Sequence, residues 1–305
     1  MPDTIDQLVE SSKAERLATG FEFTEGPLWH PEGHLLFVNN RINRIYRLEP
    51  GGEPEVIREN SGAANGLTFD LQGRLIMCEG DNRQITRMEP DGSLTVIADR
   101  LDGKRLNRPN DVVCRSDGSI YFTDPGGRLS PADREIGFNG VHRIAPNGTV
   151  STVTTDLESP NGLTFSPDER ILYADNTRRD DECVQEKERG EVCTHQYIRA
   201  YDVAPDGSLS NSRIFANMPS AEDGVPDGMK VDTDGRVYCT GSEGVWVFEP
   251  NGNHVGIIRL PEIPANCAWG DADYRTMYFT ARSSVYRLRM KTTGISPWRN
   301  TAPLA

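Results

Sequence analysis

The stretch "SPNGLTFSPDERILYADN", Ser159 to Asn176, is the clearest copy of the unit that decides the fold. Asn161-Gly162 opens an alternating apolar run, a turn around Pro167 and Asp168 follows, and a second apolar run returns. Two such runs about a short turn read as a β-hairpin. The same hairpin recurs as "EGPLWHPEGHLLFVNN" from Glu25, "NGLTFDLQGRLIMCEG" from Asn65 and "NDVVCRSDGSIYFTDP" from Asn110. It returns as "DGMKVDTDGRVYCTGS" from Asp227 and "NCAWGDADYRTMYFTA" from Asn266. The openers are 40, 45, 51, 66 and 39 residues apart, a spacing suited to four-stranded propeller blades with insertions.

A third strand follows each hairpin: "RIYRLEP", "QITRMEP", "GVHRIAP", "IRAYDVAP", "GVWVFEP" and "SVYRLRM". Turn residues such as "PGG", "PDG" and "PNG" come after five of them, leading to a fourth strand such as "PEVIREN" or "HVGIIRL". The sixth repeat has no fourth strand of its own. The missing piece stands at the other end as "AERLATG", which predicts a ring closed by an N-terminal strand in the last blade. A β-sandwich with similar turns explains neither the period nor the displaced strand. The expectation is a single six-bladed, all-β propeller over residues 1–305.

First strands of propeller blades line the central channel. The openers Glu25, Asn65, Asn110, Asn161, Asp227 and Asn266 therefore share one channel mouth, and every one carries a side-chain oxygen. Two carboxylates with neutral amides suit a hard divalent cation, calcium first and magnesium second. A zinc site would call for His or thiolate ligands, which these positions lack. The competing explanation is an Asx-turn at each strand start. It weighs most on Asn65 and Asn266 and least on Glu25, since Glu is a poor turn residue.

At these residues the chain resembles the senescence marker protein/gluconolactonase (regucalcin-like) family, most closely its bacterial gluconolactonases. The motifs that carry the likeness are "EGPLW", "NRPNDV", "SPNGLTFSPD" and "VPDGM". The resemblance implies a calcium-dependent hydrolase of sugar lactones such as glucono-1,5-lactone, with zinc, manganese or magnesium able to replace calcium. It implies Glu25, Asn161 and Asp227 as metal ligands, Asn110 as ligand or substrate contact, and Arg108 as a substrate contact. The segment "FTDPGGRLSPADREIGF" departs from animal members at a position they use against the sugar, so substrate preference does not carry over. Asp227 is the candidate general base, with direct nucleophilic attack as its rival. A fluorophosphatase-like hydrolase and a non-catalytic, calcium-stabilised binding propeller are the other readings.

If the openers sit at one mouth, the segments joining second to third strands overhang it. Two are long, 125–139 and 177–196, and their charges suit a polar substrate. His195 ends the second and, with Asn65, is a candidate on the substrate side. The other histidines, His30, His34, His142 and His254, fall near turns or in outer strands. The four Trp read as blade packing, with Trp29 and Trp269 close enough to openers to brush the channel.

A net charge of -13 argues against nucleic acid and against anionic membranes as partners. No secretory leader or apolar span stands in the given chain, so the expectation is a cytoplasmic protein, monomer or dimer. Cys78, Cys114, Cys239 and Cys267 read as core residues. Cys183 and Cys193 flank "VQEKERGEV" and either close a loop or stay reduced; in a cytosolic chain thiols are expected.

Overall fold

The computed structural model describes residues 4–127, 129–178 and 180–297. The protein is a six-bladed β-propeller, with six four-stranded antiparallel sheets in chain order. Blade 4, for example, runs Pro160–Phe165, Ile171–Asn176, Tyr197–Val203 and Leu209–Asn217 from the channel outward. The displaced strand stands where the sequence predicts it. Glu15–Thr19 pairs antiparallel with Ser284–Arg289 and completes blade 6. Across that join the Arg287 guanidinium donates to Glu15 Oε2 at 2.8 Å.

The turns close by Asx chemistry, as the PDG and PNG signatures require. The side-chain oxygens of Asp91, Asn147, Asp206 and Asn251 each accept the backbone N–H two residues on, at 2.9–3.0 Å. A short side chain thus replaces a missing ladder bond at each bend.

Each face of a propeller sheet needs an apolar neighbour, and the core answers with one cluster per blade junction. Leu36, Val38 and Ile45 of blade 1 meet Leu67, Phe69 and Met77 of blade 2. Tyr238 and Val247 of blade 5 meet Trp269, Met277 and Phe279 of blade 6, with Leu8 and Val9 from the N-terminal segment packed on top. The ring closes at blades 6 and 1, where Trp29 stacks on Tyr278 at 5.1 Å between centroids. Burying such aromatics contributes about 1.5–3 kcal/mol each.

Trp29 and Trp269 are therefore blade-packing residues, both buried. Trp246 is half-buried, stacks on His254 and donates from Nε1 to the Ser242 carbonyl at 2.9 Å. Trp298 lies outside the described residues. The four expected core cysteines are buried and unbridged. Among the described residues no helix is long and apolar enough to cross a membrane.

Candidate active site

Why four of the six openers, Glu25, Asn65, Asn161 and Asp227, are followed by glycine is a matter of clearance. A β-carbon on Gly162 would lie 1.9 Å from the Asp227 carbonyl oxygen, and one on Gly26 would lie 2.0 Å from that of Asn65. Neighbouring first strands thus interlock at their openers, and only a residue without a side chain lets them approach. Hydrogen bonds continue the circle. Gly66 N–H donates to the Asn110 carbonyl at 2.7 Å, and the Thr123 hydroxyl donates to the Asn161 carbonyl at 2.6 Å. Gly228 N–H donates to the Ala265 carbonyl at 2.8 Å, just before Asn266.

The interlock buries charge. Glu25 is 2% exposed and Asp227 9%. Burial first, and then the charge of Asp227, push the Glu25 carboxyl well above the ordinary carboxylate range. The Gly26 N–H, donating to Glu25 Oε2 at 3.0 Å, offsets only part of this.

Asn161 is held by its amide nitrogen, which donates to the Thr177 hydroxyl at 3.1 Å. That hydroxyl in turn donates to the Pro226 carbonyl, beside Asp227. Asn161 Oδ1 is buried and meets no donor within the protein. A buried acceptor without a donor costs about 1–3 kcal/mol unless something outside the chain satisfies it. An unmet amide oxygen beside mutually repelling carboxylates fits a hard divalent cation.

The remaining openers diverge. Asn266 behaves as an Asx residue, its Oδ1 accepting Cys267 N–H at 2.8 Å, although it also reaches Asp111. Asn65 and Asn110 line a cleft of about 410 Å3 together with Arg108, Asn139, Glu158 and Asn161. Arg108 faces that cleft, but its guanidinium pairs with Asp81. Its backbone is fixed by Asp124, whose two oxygens accept the Asn107 and Arg108 N–H groups at 2.7 Å each. Asp124 itself is fully buried and stands 3.5 Å from His142.

Two carboxylates of the channel escape the repeat reading. Asp111 follows Asn110 where four of the other openers have glycine, and Asp175 comes from the second strand of blade 4. Both are buried, and burial raises both. Asp175 is raised further by Asp227, while its Oδ2 accepts Gly162 N–H at 3.2 Å. Lys230 offers Asp111 a partial counter-charge. Both residues stand inside quoted repeats, "NRPND" and "YADN", so the signal was a carboxylate beside an opener or at the end of the returning strand.

Both long loops border the mouth. Pro125, Gly127 and Asn139 of one, and Thr177, Arg178 and Asp180 of the other, line the cleft. The second folds into a helix, Asp181–Glu188, whose N-cap Asp180 accepts Cys183 N–H at 2.8 Å. Contrary to the expectation of free thiols, Cys183 and Cys193 form a disulfide. Compartment-based reasoning missed it because the helix returns the two Cα atoms to 5.0 Å, within bridging reach. The helix also borders a second cavity of about 320 Å3 that reaches Asp227. Lys187 pins it, donating to the Glu222 and Gly224 carbonyls at 2.8 and 2.7 Å. His195 lies at the rim, largely exposed, with Nδ1 3.2 Å from Glu158 Oε1.

A family profile described as SMP-30/Gluconolactonase/LRE-like region matches residues 23–283. The chain belongs to this family. Within it, a gluconolactonase of Zymomonas mobilis is 29% identical over 310 residues, covering 93% of this chain and 83% of that protein. Pentonolactonase XacC of Haloferax volcanii is 28% identical over 274 residues, covering 86% and 82%. Among solved structures, a Xanthomonas campestris gluconolactonase superposes with a TM-score of 0.82 at 30% identity, covering 95% of this chain and 93% of that one. The SMP-30/gluconolactonase assignment thus spans nearly the whole ring and includes all the openers.

Proposed function

We propose that this protein is a divalent-cation-dependent hydrolase that opens a sugar lactone, with glucono-1,5-lactone to gluconate as the leading reaction. The observation that carries the reading is the buried set of Glu25, Asp227 and the unmet Asn161 oxygen, in a chain whose relatives include a gluconolactonase and a pentonolactonase. Glu25, Asn161 and Asp227 would hold the cation, with Asn110 as a further ligand or a substrate contact. An all-oxygen donor set suits calcium, with magnesium, manganese or zinc as substitutes. When bound, the cation polarises the lactone carbonyl and stabilises negative charge on its oxygen.

Asp227 takes a proton from water as the water oxygen bonds to the carbonyl carbon. The ring C–O bond then breaks, and the departing oxygen receives the proton from Asp227, leaving a hydroxyl and a carboxylic acid, which gives its remaining proton to solvent to become the carboxylate. Arg108 and Asn110 orient the sugar from one wall of the cleft. Asn65 contributes to the same wall, and His195 with Glu158 stands at the rim.

The test follows gluconolactone hydrolysis above its spontaneous rate, with and without a chelator, beside the calcium-induced change in Tm. Chelator-sensitive turnover and a calcium-dependent rise in Tm are expected. Absence of chelator-sensitive turnover overturns the lactonase reading. Fluorophosphate turnover without lactone turnover would select the phosphotriesterase-like reading, and calcium stabilisation with neither activity would select a binding propeller.

A further inference from the structure

The turn of the first hairpin, "HPEGH", carries chemistry that the channel does not use. His30 and His34 are paired directly across the strands. Gly33 N–H donates to the His30 carbonyl at 2.9 Å, closing the turn and placing Glu32 at its tip. Cross-strand partners hold their β-carbons about 4.5–5.5 Å apart, so the turn alone brings the two imidazoles together. Their rings stack at 4.3 Å between centroids. One nitrogen of each imidazole and a Glu32 carboxylate oxygen lie within 4.8 Å of one another.

The second observation concerns His34. It is 4% exposed, and its Nδ1 is buried without a hydrogen-bond partner in the protein. A buried ring nitrogen with nothing to bind is costly, and a metal ion is one of the few groups that satisfies it without a proton.

We propose that His30, Glu32 and His34 form a binding site for a borderline transition-metal dication such as Zn2+, separate from the channel mouth. Two imidazoles and one carboxylate are a donor set that zinc, cobalt and nickel accept and calcium does not favour. Three protein ligands on an exposed turn leave the fourth position to water. The site lies five residues down the strand from Glu25, roughly 16 Å away at the usual rise per residue. It is thus electrostatically and sterically independent of the openers.

The surroundings agree. Arg47 is the nearby cation, and its ion pair with Glu49 blunts its repulsion of a metal. The Glu32 side chain is 64% exposed, with Oε2 3.7 Å from His30 Nδ1, and the Glu32 N–H donates to that same nitrogen at 3.2 Å, leaving Nε2 as the His30 ligand atom. An imidazole nitrogen binds a metal in the plane of its ring, so ligation requires the stacked rings to turn out of their parallel arrangement towards a shared point.

The test is equilibrium dialysis against Zn2+ in excess Ca2+, with Co2+ as a spectroscopic probe. One Zn2+ per chain is expected, and the Co2+ form should show visible d–d absorption. His30→Ala and Glu32→Gln, both on the surface turn, should each weaken Zn2+ binding at least tenfold, about 1.4 kcal/mol. The channel variant Glu25→Gln with Asp227→Asn should leave that binding unchanged. Zn2+ binding unaffected by the turn variants, its loss in the channel variant, or no Zn2+ retained by the unaltered protein would each overturn the proposal.

Discussion

Gly162 and Asp227 touch across the join between blades 4 and 5, so closely that a β-carbon on Gly162 would sit 1.9 Å from the Asp227 carbonyl oxygen. The obstruction is backbone, which cannot rotate away as a side chain can. Gly162→Ala should therefore displace Asp227 itself. Overpacking of this kind costs about 1–3 kcal/mol and often more against backbone. We expect a lower Tm and a larger proportional loss of calcium affinity, read by calorimetry. Gly137→Ala, where an added β-carbon meets nothing within 4 Å, should be near neutral in both. Equal effects in the two variants would refute the interlock.

Glu25→Gln tests the burial of charge. A carboxyl raised in the folded state contributes stability that is present below its unfolded value, near 4.5, and is lost as pH rises through the folded value. Calcium-free protein should therefore melt at a lower temperature as pH rises from 4.5, and Glu25→Gln should flatten that dependence. The same variant should lose most of the calcium-induced gain in Tm. A steeper pH dependence in the variant would contradict the assignment.

His34 has the opposite sign. Its folded pKa, about 4, lies below the ordinary 6.5, so the unfolded chain binds the proton more readily between those values. Its contribution to stability is whole above pH 6.5 and is lost as pH falls towards 4. Denaturant melts across this window should show the decline, and His34→Gln should reduce it. Burial is the largest cause; His30 and Arg47 add to the lowering, and Glu49 and Glu32 oppose it.

Replacing Cys183 and Cys193 by Ser should loosen the lid and spare the ring. Closing a loop of ten residues contributes about 2–3 kcal/mol in the chain-entropy account. Here that energy is spent on one helix bounded by Asp180 and Lys187 rather than on the blade junctions. Faster hydrogen exchange over 181–193 and a raised KM are expected, with the cooperative melt little changed. A large drop in the global Tm would show that the lid is part of the folding core.

The propeller was legible because each blade repeats one hairpin, and because the turn residues that end strands are chemically distinctive. The displaced strand was legible from a count that came up one short at the end. The channel site was legible only in outline. Glu25, Asn161 and Asp227 stand at equivalent starts, so their common mouth followed from the repeat. Asp175 did not, because its approach to Asp227 depends on how a second strand leans between two blades. Arg108 lines the cleft, but its pairing with Asp81 depends on a side-chain rotamer that no spacing encodes. His30 and His34 were set aside as turn residues, since their pairing depends on a register that a one-residue slip would reverse.

The last sheet draws its strands from opposite ends of the chain, and this governs how the protein is made. During synthesis Glu15–Thr19 leaves the ribosome ahead of the other described strands but has no template until Ser284–Arg289 emerges. The earliest strand must wait, unpaired, while five blades assemble behind it. Nascent chains stalled before Arg289 should thus hold well-formed intermediate sheets and a sticky, unsatisfied beginning, the part a chaperone would grip.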